Sequence, residues 1–303
     1  MRLKADLTLL FVSVVWGSAF VAQRVAGQLG SVYFFNGARY LLAALVVLPF
    51  ALRSARAARQ ADSSAVISRA QHKWMFIAGL ILFIGSALQQ VGMVYTTAGN
   101  AGFITALYIV LVPVVLFLGW RERLHWLAFA ALALAVSGAF LLSTGGRFEA
   151  RAGDAIELAG AFFWALHVIV LGKFASKFDA LSFSTGQLAV CGLLNFAAGA
   201  LVETLPAFDW ALVGAALFTA LFSLGLCYTL QIWAQRHTPP ADAALILGLE
   251  SVFAVLSGWL FLDETLNLIQ LVGCALIFAA VLLSQLKEWT SGKINASHLV
   301  EGR

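Results

Sequence analysis

Charge is scarce in this chain: only 11% of its 303 residues are Asp, Glu, Lys or Arg, while 61% are hydrophobic. A soluble domain carries roughly a quarter charged residues, so water cannot be the solvent for most of this surface. Cysteine is also sparse. Cys191, Cys227 and Cys274 all fall inside apolar runs, with spacing that suits neither a zinc site nor a disulfide framework. They read as small packing residues. No His-rich pattern suggests a metal, and no cofactor is expected. A phosphate loop of the form GxxxxGK[ST] is missing, which removes an ATP-driven motor within the chain. No Ser/His/Asp set falls on facing segments, so an enzyme is not expected. The apolar runs are continuous rather than alternating over about ten residues, which argues against a β-barrel.

What is present is an all-α integral membrane protein with ten apolar segments. They lie near 5–26, 31–52, 73–95, 100–120, 125–143, 153–173, 180–202, 210–234, 240–262 and 265–286, each close to the roughly 20 residues that cross a bilayer. The cationic residues fix an orientation. With the N-terminus inside, Arg2, Lys4, Arg53, Arg56, Arg59, Arg69, Lys73, Arg121, Arg123, Lys173, Lys177, Arg236, Lys287, Lys293 and Arg303 are cytoplasmic. Only Arg24, Arg147 and Arg151 are outside, and Arg39 lies within a span. Both termini are therefore expected in the cytoplasm. The net charge of +4 reads as anchoring to anionic lipid heads, not as nucleic-acid binding. The start, Met1-Arg2-Leu3-Lys4, resembles a signal peptide but runs on into an uncleaved first helix. Residues 53–72 read as a flexible basic loop. The tail beyond about 288 is polar, and its Asn295-Ala296-Ser297 sequon falls on the cytoplasmic side.

The second five spans echo the first five. Gln90 corresponds to Gln231, Thr97 to Thr238, and the acidic turn at Glu122 to that at Glu264. Trp16-Gly17 precedes Arg24 much as Trp164-Ala165 precedes Lys173. A half with an odd number of spans must enter the membrane from opposite sides in its two copies. The duplication is therefore an inverted repeat, the build common among secondary transporters. The expected division is 1–147 for the first repeat, 148–288 for the second and 289–303 for a polar tail.

Four stretches carry a family likeness: Val15-Trp16-Gly17-Ser18-Ala19-Phe20, Leu111-Val112-Pro113-Val114, Leu249-Glu250-Ser251-Val252-Phe253-Ala254, and Trp259-Leu260-Phe261-Leu262-Asp263-Glu264. With them the chain resembles the EamA-type, ten-helix branch of the drug/metabolite transporter superfamily, and is similar to its YddG-type amino-acid exporters. The resemblance implies a central cavity lined by spans 1, 3, 4, 6, 8 and 9, with spans 5 and 10 bracing the outside. The family usually has Pro where Ser251 stands, so a straighter ninth span is expected here.

Few residues in the spans can carry chemistry, because a charge near the bilayer centre is costly. Glu250 reads as a contact for a substrate ammonium or a proton carrier, or else as an anchor between helices. Arg39 reads as an anchor that pairs with a carboxylate or helix carbonyls and snorkels outward, with carboxylate binding as the other reading. Trp164 and His167 share a helix face, and His is the side chain suited to a proton step near neutral pH. A packing role for His167 stands equally open. Glu157 is turned about 80° from that face and, with Asp154, reads as a partner of the helix N-terminus. Trp16, the repeat counterpart of Trp164, is expected to face it across the pseudo-two-fold axis. Gln89, Gln90, Tyr95, Tyr108, Tyr228 and Gln231 offer hydrogen bonds to a wet cavity or between helices. The candidate substrate-binding set is thus Trp16, Gln89, Tyr95, Tyr108, Trp164, His167, Tyr228 and Glu250. Thr238-Pro239-Pro240 reads as a helix start with Thr as N-cap. Its counterpart at Thr97–Asn100 has Gly99 and should be looser, so that the hairpins of spans 3–4 and 8–9 rock.

An aromatic, weakly polar lining suits a zwitterion with an apolar side chain. The expected partners are an amino acid or related metabolite and the lipid bilayer, with no nucleic acid. The expected function is export of such solutes across a bacterial inner membrane by alternating access. Efflux of lipophilic cations through an aromatic-acidic site is the rival reading. Few cavity cations argue against phosphorylated sugars.

Overall fold

The structure, a computed structural model, describes residues 1–28, 31–61, 68–95, 98–122, 126–145, 151–262 and 267–283. Thr97, the Asp263-Glu264 turn and the tail with Asn295 lie outside them. In lipid every backbone polar group must be satisfied within the segment, so long apolar runs become helices. The described secondary structure is wholly helical. The elements are α1 (Arg2–Gln28), α2 (Tyr33–Ala61), α3 (Arg69–Tyr95), α4 (Ala98–Ala106), α5 (Tyr108–Trp120), α6 (Trp126–Thr144), α7 (Ala152–Lys173), α8 (Ala180–Val202) and α9 (Trp210–Phe218). A π segment (Thr219–Leu226), α10 (Cys227–Ala234), α11 (Pro240–Leu247) and α12 (Glu250–Leu262) follow, and α13 (Leu268–Leu283) is the last. Eight membrane-length apolar helices and two shorter ones, Trp126–Leu142 and Leu268–Leu283, account for the ten spans.

The two halves interlock. α1 packs on α12, α2 on α8, and α3 on α7 and α8, so these first-half helices find their main partners in the second half. Small residues allow the close approach, as is usual between helices in lipid. At Gly138 and Gly273 the backbones of α6 and α13 touch, leaving no room for a Cβ at either position. Gln270 Nε2 on α13 also donates to the Leu142 carbonyl on α6 (3.2 Å).

Three sequence expectations are corrected. The loop at 53–72 is largely helix: α2 continues to Ala61 and α3 begins at Arg69. Residues 51–61 are mostly Ala, Arg and Leu with no Gly or Pro, good helix formers, and Arg53, Arg56 and Arg59 are exposed where α2 emerges. The start of α11 has Pro240 in its first turn as expected, but Pro239 is the N-cap. The Thr238 hydroxyl instead donates to Asp6 Oδ1 on α1 (2.8 Å). Arg2 completes this knot, with Nε on Asp6 (2.9 Å) and Nη2 on Asp242 Oδ2 (3.1 Å).

The third concerns the ninth span, expected to be straighter for having Ser251, which is not one uninterrupted α-helix. Its α-helical bonding is interrupted between Leu247 and Glu250, and that of the fourth span at Leu107, while the backbone at Leu107 and Gly248 stays in the helical region. The interruption at Gly248 stands as far beyond Gln231 as Leu107 stands beyond Gln90, so the repeat is visible in its interruptions. The two interruptions also meet: the Ile109 side chain fills the space that a Cβ on Gly248 would occupy. At the second interruption the chain turns with short-range bonds, Leu249 N to Ile246 O (3.2 Å) and Ser251 N to Gly248 O (3.3 Å). Ser251 Oγ also donates to the Gly248 carbonyl (2.9 Å). Ser251 thus lies in the first turn of α12, where proline is tolerated. Ser251→Pro is expected to fold and to lose only about 1–2 kcal/mol from these two bonds, as thermal unfolding in detergent would read.

Candidate functional site

Where α1, α2, α3, the two interrupted spans, α7 and the π segment with α10 converge, they leave a cavity. All six spans implied by the resemblance contribute, and α2 is an addition. Helical periodicity explains several walls. Trp16, Phe20 and Gln23 recur on one face of α1, and Leu224, Tyr228 and Gln231 repeat the same spacing from the end of the π segment into α10.

The aromatic wall is a connected row. The Trp16 and Tyr228 ring centroids are 5.2 Å apart, Tyr228 and His167 5.5 Å, and His167 and Trp164 6.4 Å. The repeat-related tryptophans stand at the two ends, with Tyr228 and His167 between them. Trp16 Nε1 donates to the Ser223 carbonyl (2.7 Å). Ser223 belongs to the π segment, whose wider i→i+5 winding is a frequent feature of functional sites. His167 Nε2 lies 3.0 Å from Gln187 Oε1 on α8, and both residues are buried.

Polar groups are placed singly around this row. Gln89 Nε2 donates to Thr105 Oγ1 (3.1 Å), which donates to Glu157 Oε2 (3.3 Å). Glu157 is wholly buried and its Oε1 has no hydrogen-bond partner among the described residues. The expected service of Glu157 to the start of α7 is corrected here. Asp154 does that work, accepting from the Arg151 N–H (2.7 Å), while Glu157 faces α3 and α4, one step behind the lining. Glu250 opens α12 in the cavity wall at 9% exposure. The Tyr108 hydroxyl neighbours its carboxyl but forms no hydrogen bond of ordinary geometry.

Of the eight sequence candidates, Trp16, Gln89, Tyr108, Trp164, His167, Tyr228 and Glu250 line this one cavity. Tyr95 stands apart at the end of α3, 59% exposed. Arg39, expected to pair and snorkel outward, is 3% exposed and lines the cavity beside Tyr40. Phe20, Gln23, Tyr40, Thr105 and Ser223 were not singled out from sequence. The spacing after Trp16 could have found the first two. The others depend on which helices face each other.

The arrangement can enclose a small amphipathic solute: an aromatic strip, isolated polar groups, one acidic side chain and one basic side chain line it. Comparison with known proteins points to a transporter. The EamA-like transporter family matches residues 3–144 and again 151–286. An uncharacterized transporter of Archaeoglobus fulgidus is 31% identical over 94% of this chain and 87% of its own length. The threonine/homoserine exporter RhtA of Escherichia coli is 27% identical over 55% of this chain and 57% of its own. A crystal structure with 15% sequence identity superposes with a TM-score of 0.78, covering 94% of this chain and 99% of the other. Duplicated matches, ten apolar helices and a shared fold lead to one conclusion: this chain belongs to the EamA-like transporter family, as a multi-pass membrane protein that carries a small-molecule substrate.

Proposed function

We propose that this protein exports amino acids or closely related amphipathic metabolites across the bacterial inner membrane by alternating access, and that it catalyses no chemical step. The observation that carries this reading is the cavity wall, in which the Trp16–Tyr228–His167–Trp164 row lies between singly placed polar groups. The row suits an apolar side chain, and the polar groups suit the ends of a zwitterion. The name of RhtA supports the same class of cargo. The repeats divide at about residue 147, both termini are cytoplasmic, and the two interruptions at Leu107 and Gly248 act as hinges. Inverted-repeat carriers commonly build a midplane site from interrupted helices and alternate by rocking one part of the bundle against the other. The rival reading, efflux of lipophilic cations, draws on Glu250 beside the aromatics but sets its cargo against the Arg39 charge.

Uptake of labelled L-threonine, L-leucine and L-phenylalanine into proteoliposomes, with and without a pH gradient, tests the proposal. At least one should accumulate well above empty liposomes. Transport of organic cations with no transport of any amino acid would overturn it.

A further inference from the structure

Arg39 is a buried cation without a counter-ion among the described residues. Its Nε donates to Asn36 Oδ1 (3.0 Å), and Asn36 is itself held by its Nδ2 on the Ser86 carbonyl (3.3 Å). The guanidinium carbon lies 5.1 Å from the Phe35 ring centroid and 5.3 Å from that of Tyr40. Among the described residues no carboxylate comes within ion-pair distance, and the terminal guanidinium nitrogens donate to no acceptor. Ring faces and one amide hold the group in place but do not neutralise it. A guanidinium offers a planar fork that matches a carboxylate, and a charge this deep normally faces a partner or a wet cavity. Arg39 faces the cavity that also receives Glu250, yet the two are not paired with each other.

We propose that Arg39 is the carboxylate-binding residue of the transport cavity. It takes the carboxylate end of the cargo through its terminal nitrogens, while Asn36 fixes the orientation of the fork from behind. The assignment rests on the amino-acid reading above and adds to it a specificity rule. The carboxylate, and not only the apolar side chain, is required for tight binding. Amines and amides of the same shape are therefore poor cargo. α2 enters the site through this residue alone with its neighbour Tyr40.

The test uses the full chain, purified, with Arg39→Gln and Arg39→Lys alongside. Monodispersity in detergent confirms that each is folded. Labelled amino acid transport is competed by the unlabelled acid and by its carboxamide. In the wild type the acid should compete roughly ten- to a hundred-fold better than the amide, the range of a charge-assisted bond. In Arg39→Gln the two should become equal, and Arg39→Lys should restore part of the difference. Unchanged discrimination in Arg39→Gln, with amino-acid transport intact, would sink the assignment and leave the exporter reading standing. A second arm needs no transport: quenching of tryptophan fluorescence by 4-methylpentanoate and by isoamylamine. Saturable quenching by the carboxylate in wild type, lost in Arg39→Gln, supports the subsite even if no amino acid is carried. Equal response of the two proteins refutes it.

Discussion

Gly17→Val should leave a protein that reaches the membrane but transports poorly. A Cβ at Gly17 would stand 2.6 Å from the Glu250 carbonyl oxygen, 2.7 Å from the Ala254 nitrogen and 2.5 Å from Phe253 Cβ. Two of these are backbone atoms, which cannot swing aside, so α1 and α12 must separate. The turn that moves is the one that opens at Glu250 in the cavity wall. Overpacking of this kind costs about 1–3 kcal/mol. If the strain is borne in this conformation and not in the others, it shifts their balance by about 5–150-fold. Transport assays and melting in detergent should both fall, while Gly119→Val and Gly214→Val, with nothing within 4 Å of the new Cβ, should change neither. A Gly17→Val protein with normal transport would show that α1 and α12 need not touch here for function.

His167→Leu carries the second large effect, and a double-variant cycle separates bracing from binding. His167 Nε2 and Gln187 Oε1 satisfy each other at 3.0 Å in a buried position. Removing the ring alone strands the glutamine, at about 1–3 kcal/mol. Gln187→Leu strands the histidine at similar cost. The double variant strands neither, so it should regain much of the lost stability, with a coupling of about 0.5–3 kcal/mol. Transport should not return with it, because the Tyr228–His167–Trp164 row is cut at its centre. If the double variant transports like the wild type, His167 is a brace and the binding role falls. By the same logic Trp164→Ala and His167→Ala should lower transport more than Arg39→Lys, which keeps its charge.

These two residues show how unevenly the site could be read beforehand. Trp16-Gly17 is visible as a motif, and its tryptophan as a wall residue, but the reason for the glycine is the backbone of α12 at the far end of the chain. Trp164 and His167 are adjacent on a helix face by spacing alone. That Tyr228 would stand between His167 and Trp16 depends on how α10 lies against α7 and α1. Glu157 and Asp154 look alike in sequence, one turn apart. Only packing turns one to the start of α7 and the other into the interior behind Thr105. Arg39 differs from the pairing and snorkelling expected of it for a related reason: an arginine in a span is expected to find a carboxylate, and among the described residues the neighbouring helices supply none within reach.

Composition, hydropathy and repeat spacing by themselves determined a ten-span, duplicated membrane protein, because in lipid a long apolar run has a single way to satisfy its own backbone. They also determined most of the aromatic wall, because residues one helical repeat apart share a face. Only the tertiary structure decided where the fourth and ninth spans are interrupted, that these interruptions meet at Ile109 and Gly248, and that Arg39, with no carboxylate partner among the described residues, shares a cavity with Glu250. Those outcomes depend on contacts between distant helices, whose close approach is set by shape and by which polar groups find partners, and no local pattern encodes them.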